Sequence, residues 1–141
     1  MVKVLFICIH NSARSQIAEA YCKEFGDRDF EVESAGLEPG NLNPYVVRVL
    51  KEDGIDISGK KPQDVFELFK AGEIYSYVVT VCSRETEEKC PIFPGVVQRL
   101  HWPFPDPATF TGTDDEIMAQ VRAVRDEIKE RVKEFVDTVR E

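Results

Sequence analysis

Apolar and polar positions along the chain fall into runs of two periods. Val2 to Ile7 is apolar at every position but Lys3, the pattern of a parallel strand covered on both faces. Cys8 ends that run, and His10-Asn11-Ser12 stops it. Ile17, Ala18, Tyr21, Cys22 and Phe25 then recur at helical spacing, with Gly26 suited to the C-terminal cap. Phe30 to Ser34 alternates, placing Glu31 and Glu33 on one side, as in an edge strand. Asn43 before Pro44 opens a second helix as N-cap and first-turn proline, and Gly54 closes it. The pattern predicts a shorter helix from Pro62 to Phe69, an apolar strand from Tyr77 to Val81, and a more polar strand from Val96 to Leu100. Thr113-Asp114-Asp115-Glu116 is a capping box, and the long helix it opens carries the stripe Ile117, Val121, Val124, Ile128, Val132, Phe135 and Val139.

Strands that alternate with helices imply an α/β fold of three layers, a four-stranded parallel sheet flanked by helices and joined by right-handed crossovers. The two most apolar strands, first and third, belong in the centre, which gives the order 2-1-3-4. With no repeat, linker or low-complexity segment, residues 1–141 read as a single domain. Ligands in such sheets bind beyond the carboxyl ends of the strands. Cys8 ends the first strand, Cys82 the third, and Asp106 follows the fourth, so residues far apart in sequence reach one rim.

Composition narrows the function. The formal charge of −8 argues against nucleic acid or an anionic membrane as partner, yet leaves room for a small anion in a recessed site. The first apolar run is too short to span a membrane and is followed by no cleavage site, so the expected state is a cytoplasmic monomer. Four cysteines are too few for a secreted disulfide scaffold and read as catalytic, metal-binding or buried thiols. Their spacing fits no common zinc pattern, and Cys22, on the inner face of its helix, is expected in the core.

Three constellations carry the chemistry. In Cys8-Ile9-His10-Asn11-Ser12-Ala13-Arg14-Ser15, between a strand and a helix, backbone amides of residues 9 to 14 can wrap inward at the helix N-terminus and hold an anion. Arg14 adds a planar fork of donors that matches a tetrahedral oxyanion. The same setting activates a thiol, since cysteines at helix N-termini titrate at roughly 3.5–7.5 rather than about 8.5. Ser15 is placed to steady the thiolate. The second constellation is Cys82 to Cys90 with a polar, charged stretch between them, read as a mobile surface loop. In the third, Trp102-Pro103-Phe104-Pro105-Asp106-Pro107-Ala108, prolines stiffen the segment and hold one carboxyl group where it can protonate a leaving oxygen. Read without the others, each motif has a plainer structural explanation: a buried strand-end cysteine, two inert thiols, a turn aspartate.

With Gln16-Ile17-Ala18-Glu19 after it, the loop resembles the low-molecular-weight tyrosine phosphatases and the thioredoxin-coupled arsenate reductases that share their fold. The resemblance extends over Ser34-Ala35-Gly36, Ile55-Asp56-Ile57-Ser58, Val79-Thr80-Val81-Cys82, Cys90-Pro91, His101-Trp102 and Asp106-Pro107-Ala108, and the last five of these point to the reductases. Four departures stand out: His10 replaces a common glycine, Ala13 a second cysteine, Ala108 an aromatic wall of the phosphatases, and the Cys82–Cys90 spacing is about one residue longer than the family's.

The resemblance implies that Cys8 attacks arsenate held by residues 9 to 15 while Asp106 supplies a proton. It further implies transient Cys8–Cys82 and then Cys82–Cys90 disulfides, with thioredoxin as the final reductant and no organic cofactor. Asn11, Glu19, Ser34 and Asp64 match positions that bind a potassium ion in some members, an oxygen-rich set suited to a hard cation. Two rivals remain, a phosphatase for tyrosine phosphate or small phosphate esters, and a non-catalytic oxyanion or redox sensor.

Overall fold

A computed structural model describes residues 1–82, 88–96 and 98–140 of the protein. Strands β1 (Val2–Cys8), β2 (Phe30–Gly36), β3 (Tyr77–Thr80) and β4 (Gln98–His101) form one parallel sheet in the order β2-β1-β3-β4. Helices α1 (Arg14–Gly26), α2 (Pro44–Glu52) and α4 (Asp114–Arg140) cover one face of the sheet, and α3 (Val65–Lys70) covers the other. The sheet order and the three-layer architecture are those that strand apolarity predicts.

Alternation within β1 sorts the core. Val4, Phe6 and Cys8 pack with α1, α2 and α4, whereas Leu5 and Ile7 pack with Val65, Tyr75, Val78, Cys90 and Phe93. Because β1 is central, all five positions from Val4 to Cys8 are buried, and the run therefore reads as continuously apolar. On edge strand β2 the inward residues are buried while Glu31 is exposed and Glu33 accepts from the Tyr75 hydroxyl. The capping box at Thr113 forms in both directions, with Glu116 N–H donating to Thr113 Oγ1 at 3.2 Å and Thr113 N–H to Glu116 Oε1 at 3.4 Å. Along α4 the buried stripe is Met118, Val121, Val124, Ile128, Val132, Phe135 and Val136.

Several boundaries differ from the pattern reading. The third helix starts at Val65 because the Asp64 side chain caps it by accepting from Phe66 N–H at 2.8 Å. Strand β4 (Gln98–His101) runs one residue past the Leu100 at which its apolar pattern ends. Gly26 is the last residue of α1 and has no left-handed backbone; the positive φ of 49° falls on Asp27. Space is the reason for glycine at 26, since a Cβ there would meet the Phe30 side chain at 2.7 Å.

That reassignment is testable. Gly26→Ala should lower stability by about 1–3 kcal/mol through overpacking against Phe30, measured by urea unfolding. Asp27→Gly should leave stability equal or higher, because glycine adopts positive φ without strain.

Candidate functional site

The segment between β1 and α1 turns its carbonyl groups outward. Cys8, Ile9, His10 and Ser12 carbonyls accept from the N–H groups of Leu37, Glu38, Gly40 and Asn43 at 3.2, 2.8, 3.0 and 2.9 Å. A peptide whose carbonyl points one way presents the N–H that follows it the other way, so this zipper turns the loop amides inward. Asn11 sits at φ 54°, a conformation that asparagine tolerates better than most residues and that helps close the concavity. The Ala13 side chain caps nothing and no acid stands in the first turn of α1, which leaves the helix N-terminus open to an anion. Gly36 abuts the back of the loop, where an added Cβ would lie 2.7 Å from Ile9 O and 2.8 Å from Asn11 N. His10 keeps its exposed ring on the rim, donating from Nδ1 to the Glu38 carbonyl at 2.7 Å.

A buried polar hub orients the nucleophile. Asn11 Oδ1 accepts from Gln63 N–H at 2.9 Å and Gln16 Nε2 at 3.1 Å, which fixes its carboxamide orientation. Nδ2 must then donate, and it does so to Ser15 Oγ at 2.7 Å and Ser34 Oγ at 2.9 Å. Ser15, already an acceptor from Asn11, has its own hydrogen left for Cys8 Sγ at 2.8 Å, and Asn11 N–H donates to the same sulfur at 3.2 Å. Both hydrogen bonds converge on the sulfur and fix its place beside the loop.

Arg14, only 7% exposed, donates from Nη1 to the Phe104 carbonyl at 3.2 Å and sets Nη2 3.5 Å from Asp106 Oδ2. The other Asp106 oxygen accepts from Ala108 N–H at 3.0 Å, so the turn after Pro105 aims this carboxyl group at the loop. Cys8, Arg14 and Asp106 thus meet at the carboxyl rim of the sheet. Cys82 is fully buried with its sulfur 3.9 Å from the carbonyl of Ile7, in the same core as Cys8. Cys90 lies with Phe93 and Tyr75 in the core beneath α3. Ser83 to Glu87, the middle of the stretch read as a mobile loop, lie outside the described residues. Cys22 is fully buried, and its burial, with the Glu19 charge adding to it, pushes the thiol up to about 12.

Of the expected potassium set, Asn11, Ser34 and Glu19 are joined to one another by hydrogen bonds behind the loop. Asp64 caps α3 through Oδ1. Glu19, 2% exposed, already accepts from the Ser34 hydroxyl and from the ammonium groups of Lys60 and, at 2.6 Å, Lys23. One buried oxygen nearby, Gln16 Oε1, is without a hydrogen-bond partner among the described residues.

Gln63, Lys60 and Lys23 escaped the sequence reading. Gln63 reaches Asn11 across 52 positions, and no local pattern marks it.

Comparison with known proteins agrees with this geometry. Residues 3–141 match the model of the family described as low molecular weight phosphotyrosine protein phosphatase. An arsenate reductase of Bacillus subtilis (strain 168) is 41% identical over 136 residues, 96% of this chain and 95% of that protein. The crystal structure of an arsenate reductase from Archaeoglobus fulgidus superposes with a TM-score of 0.75 at 33% identity, covering 95% of this chain and 98% of that one. A thioredoxin-dependent arsenate reductase of Corynebacterium glutamicum superposes with a TM-score of 0.64 at 30% identity, over 94% of this chain and 62% of that one. With an anion loop, an arginine and an aspartate meeting at one rim and cysteines beyond those a phosphatase needs, the chain belongs to the low molecular weight phosphotyrosine protein phosphatase family, on its arsenate reductase branch.

Proposed function

We propose that this protein reduces arsenate to arsenite in arsenic detoxification, with Cys8 as nucleophile and Cys82 and Cys90 as a disulfide relay. The observation that carries the reading is the buried Cys82 in the same core as Cys8, beside a complete oxyanion site. A phosphatase has work for Cys8, Arg14 and Asp106 but none for the other two thiols.

The first step forms a bond from Cys8 sulfur to arsenic. The loop amides of residues 9 to 15 and the Arg14 guanidinium hold the other oxygens, and the departing hydroxide leaves as water with a proton from Asp106. Arg14 holds Asp106 within 3.5 Å before substrate arrives, so the acid and the anion clamp are positioned together. Cys82 thiolate then attacks Cys8 sulfur. The sulfur–arsenic bond breaks with its electron pair staying on arsenic, which leaves as arsenite while Cys8–Cys82 forms. Cys90 thiolate next attacks Cys82 sulfur, freeing Cys8 and storing the oxidation as Cys82–Cys90.

This second exchange requires Cys90 to leave its packing under α3, because it starts on the opposite face of the sheet from Cys8. An external dithiol, thioredoxin by analogy with the Corynebacterium relative, supplies the two electrons that reset the enzyme. No organic cofactor enters any step.

Arsenite production with and without thioredoxin tests the reading directly. Cys82→Ser should abolish arsenate reduction yet retain slow hydrolysis of a small phosphate ester, since Cys8, Arg14 and Asp106 suffice for that. Joint loss of both activities would assign Cys82 to the fold instead. Asp106→Asn should slow the single-turnover step by about 10²–10⁴-fold, the range for general acids, with arsenate affinity little changed; an unaltered rate would leave Asp106 a turn residue.

Cysteine mapping by mass spectrometry supplies a third check. After arsenate without reductant, Cys82–Cys90 should be found with Cys8 and Cys22 as thiols, and Cys90→Ser should stop at Cys8–Cys82. Cys22, held protonated near neutral pH, should resist alkylation until the protein unfolds; a stoichiometric disulfide at Cys22 would overturn the assignment.

A further inference from the structure

We infer that His10 is a positioning residue for oxyanion binding, its ring clasping an exposed neighbouring segment so that the loop stands ready before an anion arrives. The inference rests on the loop as the oxyanion site of the reading above, and not on the cysteine relay. That reading gives the His10 side chain no task, and its surroundings supply one. Glu38, Pro39 and Gly40 are all exposed, and Pro39 has no N–H to give, so packing does little to hold this stretch against the loop. Hydrogen bonds hold it instead. Glu38 N–H donates to the Ile9 carbonyl at 2.8 Å, and Gly40 N–H to the His10 carbonyl at 3.0 Å. Between these two, the His10 ring reaches the Glu38 carbonyl at 2.7 Å. A carbonyl oxygen only accepts, so Nδ1 carries the hydrogen and gives it to this bond rather than to an anion. His10 therefore grips Pro39 from both sides, its ring on the carbonyl before the proline and its own carbonyl on the N–H after it.

The clasp acts on one peptide group above all. The His10 carbonyl and the Asn11 N–H share a plane and point opposite ways. With the carbonyl drawn out by Gly40, the N–H faces in and donates to Cys8 Sγ at 3.2 Å. Asn11 keeps this arrangement at a φ of 54°, a region that residues other than glycine enter at a cost. Released from Gly40, the peptide is free to turn over and relieve Asn11, and its oxygen would then face the anion. A loop that binds only in its clasped form has an apparent dissociation constant raised by the inverse of that form's population. His10 thus sets affinity for the anion, and an anion at saturation holds the loop closed without it.

Inorganic phosphate, titrated calorimetrically into the intact protein, tests this without turnover. His10→Ala should weaken phosphate binding by about fivefold, within the range that one hydrogen bond is worth. His10→Asn has no ring and no charge but keeps a side-chain N–H at the reach of Nδ1, and it should bind within about twofold of the original. In hydrogen exchange, the Gly40 amide of His10→Ala should exchange faster in the free protein and return to the original rate under saturating phosphate, with the amides of β1 unchanged. In arsenate turnover the loss should fall on KM by a similar factor and not on kcat, because at saturation every loop is closed. Equal phosphate affinity in His10→Ala and the original would overturn the inference. So would a loss in His10→Asn as large as that in His10→Ala, which would assign the effect to the charge or bulk of the ring. Faster exchange throughout β1 would overturn it too, by making His10 a residue of the fold alone. An unmodified protein that binds no phosphate and no arsenate would overturn the oxyanion site itself, and this inference with it.

Discussion

The reactivity of this site depends on the direction in which a few peptide groups point. Four carbonyls of the loop, those of Cys8, Ile9, His10 and Ser12, are drawn outward by the N–H groups of residues 37 to 43. Were those acceptors left to solvent, the loop could turn them toward the anion, and the concavity would repel what it is meant to hold. The zipper leaves the amides facing inward, and the open N-terminus of α1 extends the same field. Gly36 lets the partner segment come that close, because any side chain there would collide with the loop backbone.

Behind the loop, Asn11 converts this backbone geometry into side-chain chemistry. Its oxygen is fixed by Gln63 and Gln16, so its nitrogen must donate, and Ser15 is left with a hydrogen for the sulfur. Directionality of this kind has no counterpart in a list of contacts, since the same atoms with one amide reversed would place two lone pairs against each other. Orientation of the carboxamide decides whether Ser15 has a hydrogen to give the sulfur.

The three cysteines of the proposed relay are distributed over both faces of the sheet. Cys8 and Cys82 share one core, and Cys90 is packed into the other with Phe93 and Tyr75. In that proposal Cys8 and Cys82 start in one core, while Cys90 starts in the other. Cys22 remains apart, fully buried and with its thiol raised to about 12.

Much of this was written in local pattern. The continuous apolar runs of β1 and β3 mark them as central, because only a strand covered on both faces dispenses with alternation. The N-cap at Asn43 and the box at Thr113 with Glu116 concern neighbours a few residues apart, so they could be read without a structure. Sheet order then brings Cys8, Cys82 and Asp106 toward one rim, and the loop motif names the anion-binding residues. What the sequence could not specify are choices between competing partners. Asp64 has equal chemical reason to bind a cation or to cap a helix, and only packing placed it at the start of α3. Gly26 satisfies both a left-handed cap and a close approach, and the Phe30 ring decided for the latter. Lys60 and Gln63 are ordinary polar residues in a loop. Their partners Glu19 and Asn11 lie 41 and 52 positions away, and such contacts exist only once the α2–α3 connection has folded against the back of the anion loop.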